Sequence, residues 1–301
     1  MNTKRLITLS IFTFITASTA QAADTVIFKQ PKPDVSLSNI SSPYISPVTI
    51  SAPFSWSGFY FGGQIGYFSS KNTLNYAQEA QGGKWTWVDR NLSPKPSGLR
   101  GGIYAGSNID LGNHLVFSVE TDMVWSGRKN TQTDNGKRIL KEEELDSINI
   151  AFKEAGIPIR KPAAQDETIP NYGDIVISSV TLKEKWAGAA RARIGFASHR
   201  FMPYIAGGIA YTRMQYIMSL LSKSQEDEED LAIFASGNVL DEAKTMIGYT
   251  VGGGFDVAVT DNIILRTEYR YLDFSKQKFA NDKLKITSKM HNFRLGIAYK
   301  F

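Results

Sequence analysis

Three histidines, no cysteine and two sets of clustered charges are the raw material for any chemistry in this 301-residue chain. Ser288 and His291 come nearest to a nucleophile and a base, but three residues apart on a strand they face opposite sides and do not pair as a dyad. An enzyme is therefore not expected. The lack of cysteine removes disulfides, thiol catalysis and Cys-ligated metal. Between Tyr76 and Lys95 the aromatics Tyr76, Trp85 and Trp87 are interleaved with Lys84, Arg90 and Lys95. Such a set holds a flat anionic ring by stacking and charge, or else extends a hairpin arm above a membrane surface. The acidic run Glu226-Asp227-Glu228-Glu229-Asp230 has no EF-hand spacing and reads as solvated charge. The remaining set is Glu120, Asp122, Arg191, Arg193, Asp256, Arg266, Glu268, Arg270 and Arg294, and its use depends on the elements that carry it.

Those elements alternate with a period of two. Eight strands are expected, at about 57–68, 98–111, 114–125, 182–196, 202–216, 245–258, 263–274 and a last one ending at Phe301. In the first, Phe59, Phe61, Ile65 and Tyr67 share one face, and Tyr60, Gly62, Gln64 and Gly66 the other. The second sends Ile103, Ala105, Ile109 and Leu111 outward, with Arg100, Gly102, Tyr104, Asn108 and Asp110 inward. The third sets Phe117, Val119 and Met123 against Ser118, Glu120 and Asp122, and the fourth sets Ala190, Ala192 and Ile194 against Lys185, Arg191 and Arg193. The Gly/Ala-rich fifth leaves its facing open; the seventh opposes Leu265, Tyr269 and Tyr271 to Arg266, Glu268 and Arg270. The connections run roughly 28, 2, 55, 4, 28, 3 and 12 residues. Within the second long connection, Leu145, Ile148 and Phe152 recur at helical spacing over Lys137 to Ala155, with Gly156 and Pro158 as the stop. This amphipathic helix either packs on its own loop or docks on a host partner.

In each strand the aromatic face is nearly free of charge, whereas a soluble barrel of this size keeps its interior apolar. The fold class expected is all-β: an eight-stranded antiparallel transmembrane β-barrel with short periplasmic turns and long extracellular loops. All nine charged residues fall within about five to nine residues of the periplasmic turns and would meet in one narrow lumen. Isolated charges are costly there, so an ion-pair network is expected, with Glu120 and Asp122 against Arg191 and Arg193, and Glu268 against Arg294. It would fill the barrel and limit conductance; the alternative is a proton or ion path.

Ahead of the barrel at 56–301, residues 1–22 read as a signal peptide. Lys4 and Arg5 precede an apolar run, and Ala20-Gln21-Ala22 gives a small-x-small cleavage pattern that leaves Ala23 first. Residues 23–55, with Pro31, Pro33, Pro43, Pro47 and Pro53, read as a Pro-rich periplasmic linker. The formal charge of +5 includes Lys4 and Arg5, and so small an excess implies no nucleic-acid partner.

Seven segments of this sequence resemble the small OmpA-like outer-membrane β-barrel superfamily, and within it the surface antigens and hemin-binding proteins of Brucella and Bartonella. They are Trp56-Ser57-Gly58-Phe59-Tyr60-Phe61-Gly62-Gly63, Glu120-Thr121-Asp122, Arg191-Ala192-Arg193-Ile194-Gly195, Pro203-Tyr204-Ile205-Ala206-Gly207-Gly208, Gly248-Tyr249-Thr250-Val251-Gly252-Gly253-Gly254, Thr267-Glu268-Tyr269-Arg270-Tyr271 and Tyr299-Lys300-Phe301. The likeness spans the barrel and fails in the loops, so it is specific for fold rather than for function. It implies a protein of the bacterial outer membrane with extracellular loops and both termini periplasmic. It further implies hemin binding through those loops and, in the same branch, contact with host matrix or cell-surface proteins. An adhesin, a small porin and a structural or antigenic envelope protein stay open as alternatives. No cofactor is required, heme being a bound ligand. Hemin needs an axial donor, an apolar plane and cations for its propionates. That nominates Tyr76, Trp85, Trp87, Arg90 and His291, of which His291 lies near the outer rim with parity toward lipid. His114 and His199 fall in the periplasmic turns. The other implied partners are outer-membrane lipid and the barrel-assembly machinery, for which the terminal Phe301 is the expected signal.

Overall fold

The computed structural model describes residues 54–76, 92–158, 173–223, 233–280 and 283–301. The signal peptide, the linker as far as residue 53, Trp85, Trp87, Arg90 and the acidic run at 226–230 lie outside the described residues. In chain order the elements are β1 (Gly58–Tyr76), β2 (Ser97–Gly112), β3 (Leu115–Trp125), the short β4 (Lys129–Thr133) and β5 (Lys137–Arg138), and helix α1 (Glu142–Glu154). Then follow β6 (Ile175–Phe196), β7 (Phe201–Lys223), β8 (Ile233–Ala258), β9 (Ile263–Phe279) and β10 (Leu284–Lys300). Eight long antiparallel strands form a ring, because β10 returns to pair with β1 and β3 pairs with β6. Closure leaves no row of unpaired backbone groups along this part of the sheet, which is what permits strands to cross a bilayer. β4 and β5 continue the line of β3 upward along β6.

The short ends are tight turns. Gly112, Asn113 and His114 have φ of 80°, 50° and 66°, and the Thr260 hydroxyl accepts the Ile263 N–H at 3.0 Å. Parity then sorts the side chains: Ile205 is 69% exposed while Arg193 is 1% exposed. The facing of β7, open in the sequence, is settled with Tyr204, Ala206 and Ala210 inward and Ile205 and Ile209 outward. Two inward expectations are corrected. Lys185 is only half-buried, because the register of β6 shifts between Glu184 and Trp186 and brings Glu184 inside instead. Asp110 is exposed, its carboxylate accepting the Gly112 N–H of the turn at 2.9 Å.

The strands extend well beyond their expected upper ends: β6 begins at Ile175, β7 runs on to Lys223 and β8 starts at Ile233. The interior consequently has three tiers. At the bottom, Trp56, Val116, Met202, Ile264 and Ala298 form an apolar floor. Phe54, assigned to the linker in the sequence, packs on that floor, and Ser55 accepts the Lys300 ammonium at 2.7 Å. Above the floor lie the buried charges. Above those sits a large apolar core of Phe68, Leu182, Met214, Met218, Phe274 and Ile286, onto which α1 presses Ile148, Ala151 and Phe152. The helix covers Glu142–Glu154 rather than reaching back to Lys137, since Lys137 and Arg138 pair with β6. It stops at Gly156 (φ 66°), with Ile157 N–H donating to Phe152 O and Gly156 N–H to Lys153 O, the six-to-one and five-to-two bonds of a Schellman motif.

Candidate functional site

The structure brings all nine charged residues together inside the ring, every one buried. Glu120 on β3 accepts from Arg193 at 2.9 Å, from the Tyr60 hydroxyl at 2.8 Å, and from Arg191 and Arg266. Asp256 on β8 accepts Arg193 Nη2 at 2.8 Å and is gripped by Arg266 through Nε at 2.8 Å and Nη2 at 2.9 Å. On the other side of the lumen, Asp122 pairs with Arg270 at 2.7 Å and Arg294 at 3.0 Å, and Glu268 with Arg270 at 2.6 Å and Arg191 at 2.8 Å. Arg191, which reaches Glu120 as well as Glu268, thus links the two carboxylate pairs into one lattice, and Arg270 ties Asp122 to Glu268 within the second. Glu268 stands opposite Arg294 in register, yet its oxygens go to Arg191, Arg270 and the Tyr204 hydroxyl, and Arg294 turns to Asp122 and Gln64. A shared, multidentate arrangement is what a low-dielectric interior demands of charges that have left water.

Of the rest of this tier, parity in the sequence had turned Tyr60, Arg100 and Tyr104 inward, but not Glu184 or Tyr204. Arg100 and Glu184 form a further buried pair at 3.1 Å, with the Arg100 guanidinium 4.9 Å above the Phe68 ring. Tyr60, Tyr104 and Tyr204 fill the space between the guanidiniums, Arg193 lying 3.7 Å from the Tyr204 ring centroid and Arg266 4.6 Å from that of Tyr104. Inward glycines make room for them: a Cβ at Gly62 would stand 2.8 Å from Tyr104 Cζ, and one at Gly296 2.9 Å from its hydroxyl. The alternation of glycine with aromatics on β1 and β2 was the available signal; Glu184 gave none, because the bulge conceals its facing.

The outer ends of the strands carry a head with ordinary soluble chemistry. Most outward positions are polar or charged there, as with Lys71, Thr73, Thr131, Gln215 and Lys289, with Ile217 and Leu221 among the exceptions, while the interior is the apolar core beneath α1. Where β3 ends, residues 92–96 bridge β1 and β4: Ser70 and Asn72 donate to the carbonyls of Pro96 and Pro94 at 2.6 and 2.8 Å. From the other side, Gln132 and Asn130 accept the N–H groups of Ser93 and Lys95 at 2.7 and 3.0 Å. On the outer side of α1, Asp146, Asn149, Ile150, Lys153 and Ile157 line an open depression of about 440 Å³. Glu144 in the first helical turn accepts the Leu140 N–H at 3.1 Å and pairs with Lys137 at 3.4 Å. Although its partial burial works the other way, these two donors hold the Glu144 carboxyl below the ordinary glutamate range.

Of the hemin candidates, His291 is on the outward face, its Nδ1 2.7 Å from the Tyr269 hydroxyl and its ring 5.2 Å from that of Tyr271. Ser288 is buried on the opposite face of the same strand. Tyr76 ends β1, and the other three candidates lie in the segment outside the described residues. Phe301 donates its N–H to Phe59 O at 2.9 Å and sets its ring 5.0 Å from Tyr299. Among the described residues there is no cluster of three or more His, Asp or Glu side chains arranged to hold a metal, and no helix long and apolar enough to cross a membrane.

A family model described as the outer membrane protein beta-barrel domain matches residues 48–301. The 31 kDa outer-membrane immunogenic protein of Brucella melitensis is 27% identical over 95% of this chain and 95% of its own length. The 25 kDa outer-membrane immunogenic protein of the same organism is 24% identical over 99% and 98%. Among solved structures, Neisserial surface protein A is 17% identical, covering 81% of this chain and 98% of its own with a TM-score of 0.34.

Proposed function

The chain belongs to the outer-membrane β-barrel family, and from that premise we propose that its transmembrane tier is a sealed anchor while its binding work is done by the head at the cell surface. The observation that carries this reading is the ion lattice itself. Five arginines and four carboxylates hold one another across the full width of the lumen, with an apolar core stacked directly above them. Water and solutes have to displace paired charges in one tier and hydrocarbon in the next, and the cost of both exceeds what a small pore sustains. Two relatives carry the name outer-membrane immunogenic protein, which agrees with a head displayed outside the cell. Purified barrel in planar bilayers is expected to give no large, stable single-channel currents; such currents would overturn the sealed reading. On intact cells, an amine-reactive label that does not cross the membrane is expected to modify Lys141 and Lys153 of the head.

For the ligand, we propose hemin, taken up by the first loop. The supporting observation is the interleaving of Trp85 and Trp87 with Lys84 and Arg90, which offers flat apolar faces beside cations for the propionates, with Tyr76 as the axial donor. His291 is an unsuitable donor in this scheme, because it lies on the outward face of β10 rather than in the first loop. The test is the visible spectrum of the hemin complex. A shifted Soret band that disappears on Tyr76→Phe supports ligation, and unchanged hemin binding by the double variant Trp85→Ala, Trp87→Ala removes the loop from consideration. Phe301, at the closing seam between β1 and β10, is proposed as the contact for the assembly machinery during insertion.

A further inference from the structure

At the top of the apolar band, three aromatics stand side by side on the outward face. Trp125 of β3 is directly opposite Trp186 of β6, and Trp186 meets Tyr211 of β7 edge-on with ring centroids 5.9 Å apart. Just above them the outward chemistry turns cationic. Lys129 of β4 faces Lys183 of β6 in direct register, Lys185 follows through the bulge, and Arg213 of β7 stands opposite Trp186. Residues opposite each other on neighbouring strands have Cβ atoms about 5 Å apart, and like charges so placed repel.

Among the described residues, none of these four cations makes an ion pair, and no outward position of β4, β6 or β7 at this level holds a carboxylate. The nearest acids of β8 are already used, Glu242 by Lys244 at 2.8 Å and Asp241 by the Gln215 amide at 2.5 Å. A second facing pair, Lys71 and Lys289, shows how the barrel relieves such repulsion elsewhere: Asp273 stands 3.5 Å from Lys289. At Lys129, Lys183, Lys185 and Arg213 no described residue supplies the counter-charge. Their place directly above lipid-facing aromatics sets them at the headgroup level of the outer leaflet, where aromatic belts lie and lipid phosphates offer one.

We propose that this face binds a phosphorylated lipid of the outer leaflet, its phosphate among Lys129, Lys183, Lys185 and Arg213 and its acyl chains along Trp125, Trp186 and Tyr211. The site is separate from the sealed lumen and from the loop proposed for hemin, and depends on neither. The full chain in phosphatidylcholine vesicles provides the assay, with about one lipid in ten replaced by brominated phosphatidate or by brominated phosphatidylcholine, so that bromine quenches nearby tryptophan. The anionic probe is expected to quench several-fold more effectively. Lys129→Gln, Lys183→Gln, Lys185→Gln and Arg213→Gln together are expected to lower its apparent association at least ten-fold, each cation near an anionic surface contributing roughly five-fold. Lys141→Gln with Lys153→Gln, which removes cations at the two ends of α1 and away from this face, is expected to change nothing. Should the fourfold variant fail to fold, Lys129→Gln with Lys183→Gln carries the same comparison at a smaller factor. Equal quenching by the two probes in the native protein, or an equal loss in the α1 variant, overturns the proposal. Millimolar inorganic phosphate is expected to leave the preference intact; if it abolishes the preference, the site takes a free anion and the lipid is ruled out.

Discussion

The lower and upper halves of the same strands are built on opposite rules. β7 shows this within one element. From Phe201 to Tyr211 its outward residues include Ile205 and Ile209, and its inward neighbours are Tyr204 and Ala206 beside the ion lattice. From Arg213 to Lys223 the outward set is Arg213, Gln215, Ile217, Ser219, Leu221 and Lys223, mostly polar, and the inward set is Met214, Tyr216, Met218, Leu220 and Ser222, mostly apolar. Parity never changes, yet the chemistry of the two faces exchanges around Tyr211. The strand therefore decides only which residues share a face; the solvent outside decides what that face must be. Against lipid, the apolar face turns outward and charges are confined to the lumen, where they must satisfy one another. Against water, the same ribbon buries its apolar face in the usual way.

The sharpest way to break that comparison is to remove one member of the lower lattice. Glu120→Leu removes the one acceptor common to Arg191, Arg193 and Arg266, leaves five arginines against three carboxylates, and deprives the Tyr60 O–H of its acceptor. Uncompensated buried charge costs about 3–5 kcal/mol, so the urea midpoint of the barrel in micelles, followed by tryptophan fluorescence, is expected to fall accordingly. A loss below about 1 kcal/mol would mean that water reaches the lattice, contrary to a sealed lumen.

In the head, the corresponding defect is an apolar cavity. Phe152→Ala removes the largest helical side chain from the core beneath α1 and is expected to cost about 3 kcal/mol. The cost should stay local. An isolated 13-residue helix is marginal in water, so α1 is expected to undock and its amides to exchange fast, while the β1, β9 and β10 amides of the lower tier keep their protection. Hydrogen exchange followed by mass spectrometry reads both regions in one sample; equal loss of protection in the two tiers would show that they form one cooperative unit. The outer face gives a paired test. Ile205→Lys places a charge against lipid and is expected to cost about 2–4 kcal/mol, whereas Ser219→Lys, on the same face of the same strand but in water and opposite Ser179, should stay within about 0.5 kcal/mol.

The lower tier was legible in the sequence because its two faces differ as much as side chains can: Arg191 and Arg193 alternate with Ala190, Ala192 and Ile194. The upper tier was not. Residues 216–222 read Tyr-Ile-Met-Ser-Leu-Leu-Ser, where Ile217 and Leu221 point outward and Tyr216, Met218 and Leu220 inward, so the contrast that marks a strand is lost although the strand continues. Glu184 was hidden for another reason. A bulge displaces parity by one residue, and nothing in the residue types around Lys185 announces it. Leu145, Ile148 and Phe152 disclosed α1 through their spacing, but its start was misplaced because Lys137 and Arg138 are held by pairing with β6, a contact distant in sequence.

The smallest expected effect tests whether the head titrates apart from the lattice. Glu144 has its carboxyl held below the ordinary range by the Leu140 N–H and Lys137, so the folded state prefers it ionised more strongly than the unfolded chain does. Its contribution is then fully present above the unfolded value of about 4.3 and fades as pH falls through the lowered folded value. Partial exposure keeps it at about 0.5 kcal/mol or less, the worth of a surface pair. Native hydrogen exchange at the first turn of α1 is expected to rise modestly between pH 5 and pH 3, after correction for the intrinsic exchange rate, and Glu144→Gln should abolish the change. If the amides of β3 and β9 followed the same pH dependence in the wild type and lost it in Glu144→Gln, the head and the lattice would be coupled. The division of the barrel into two independently solvated tiers would then fail.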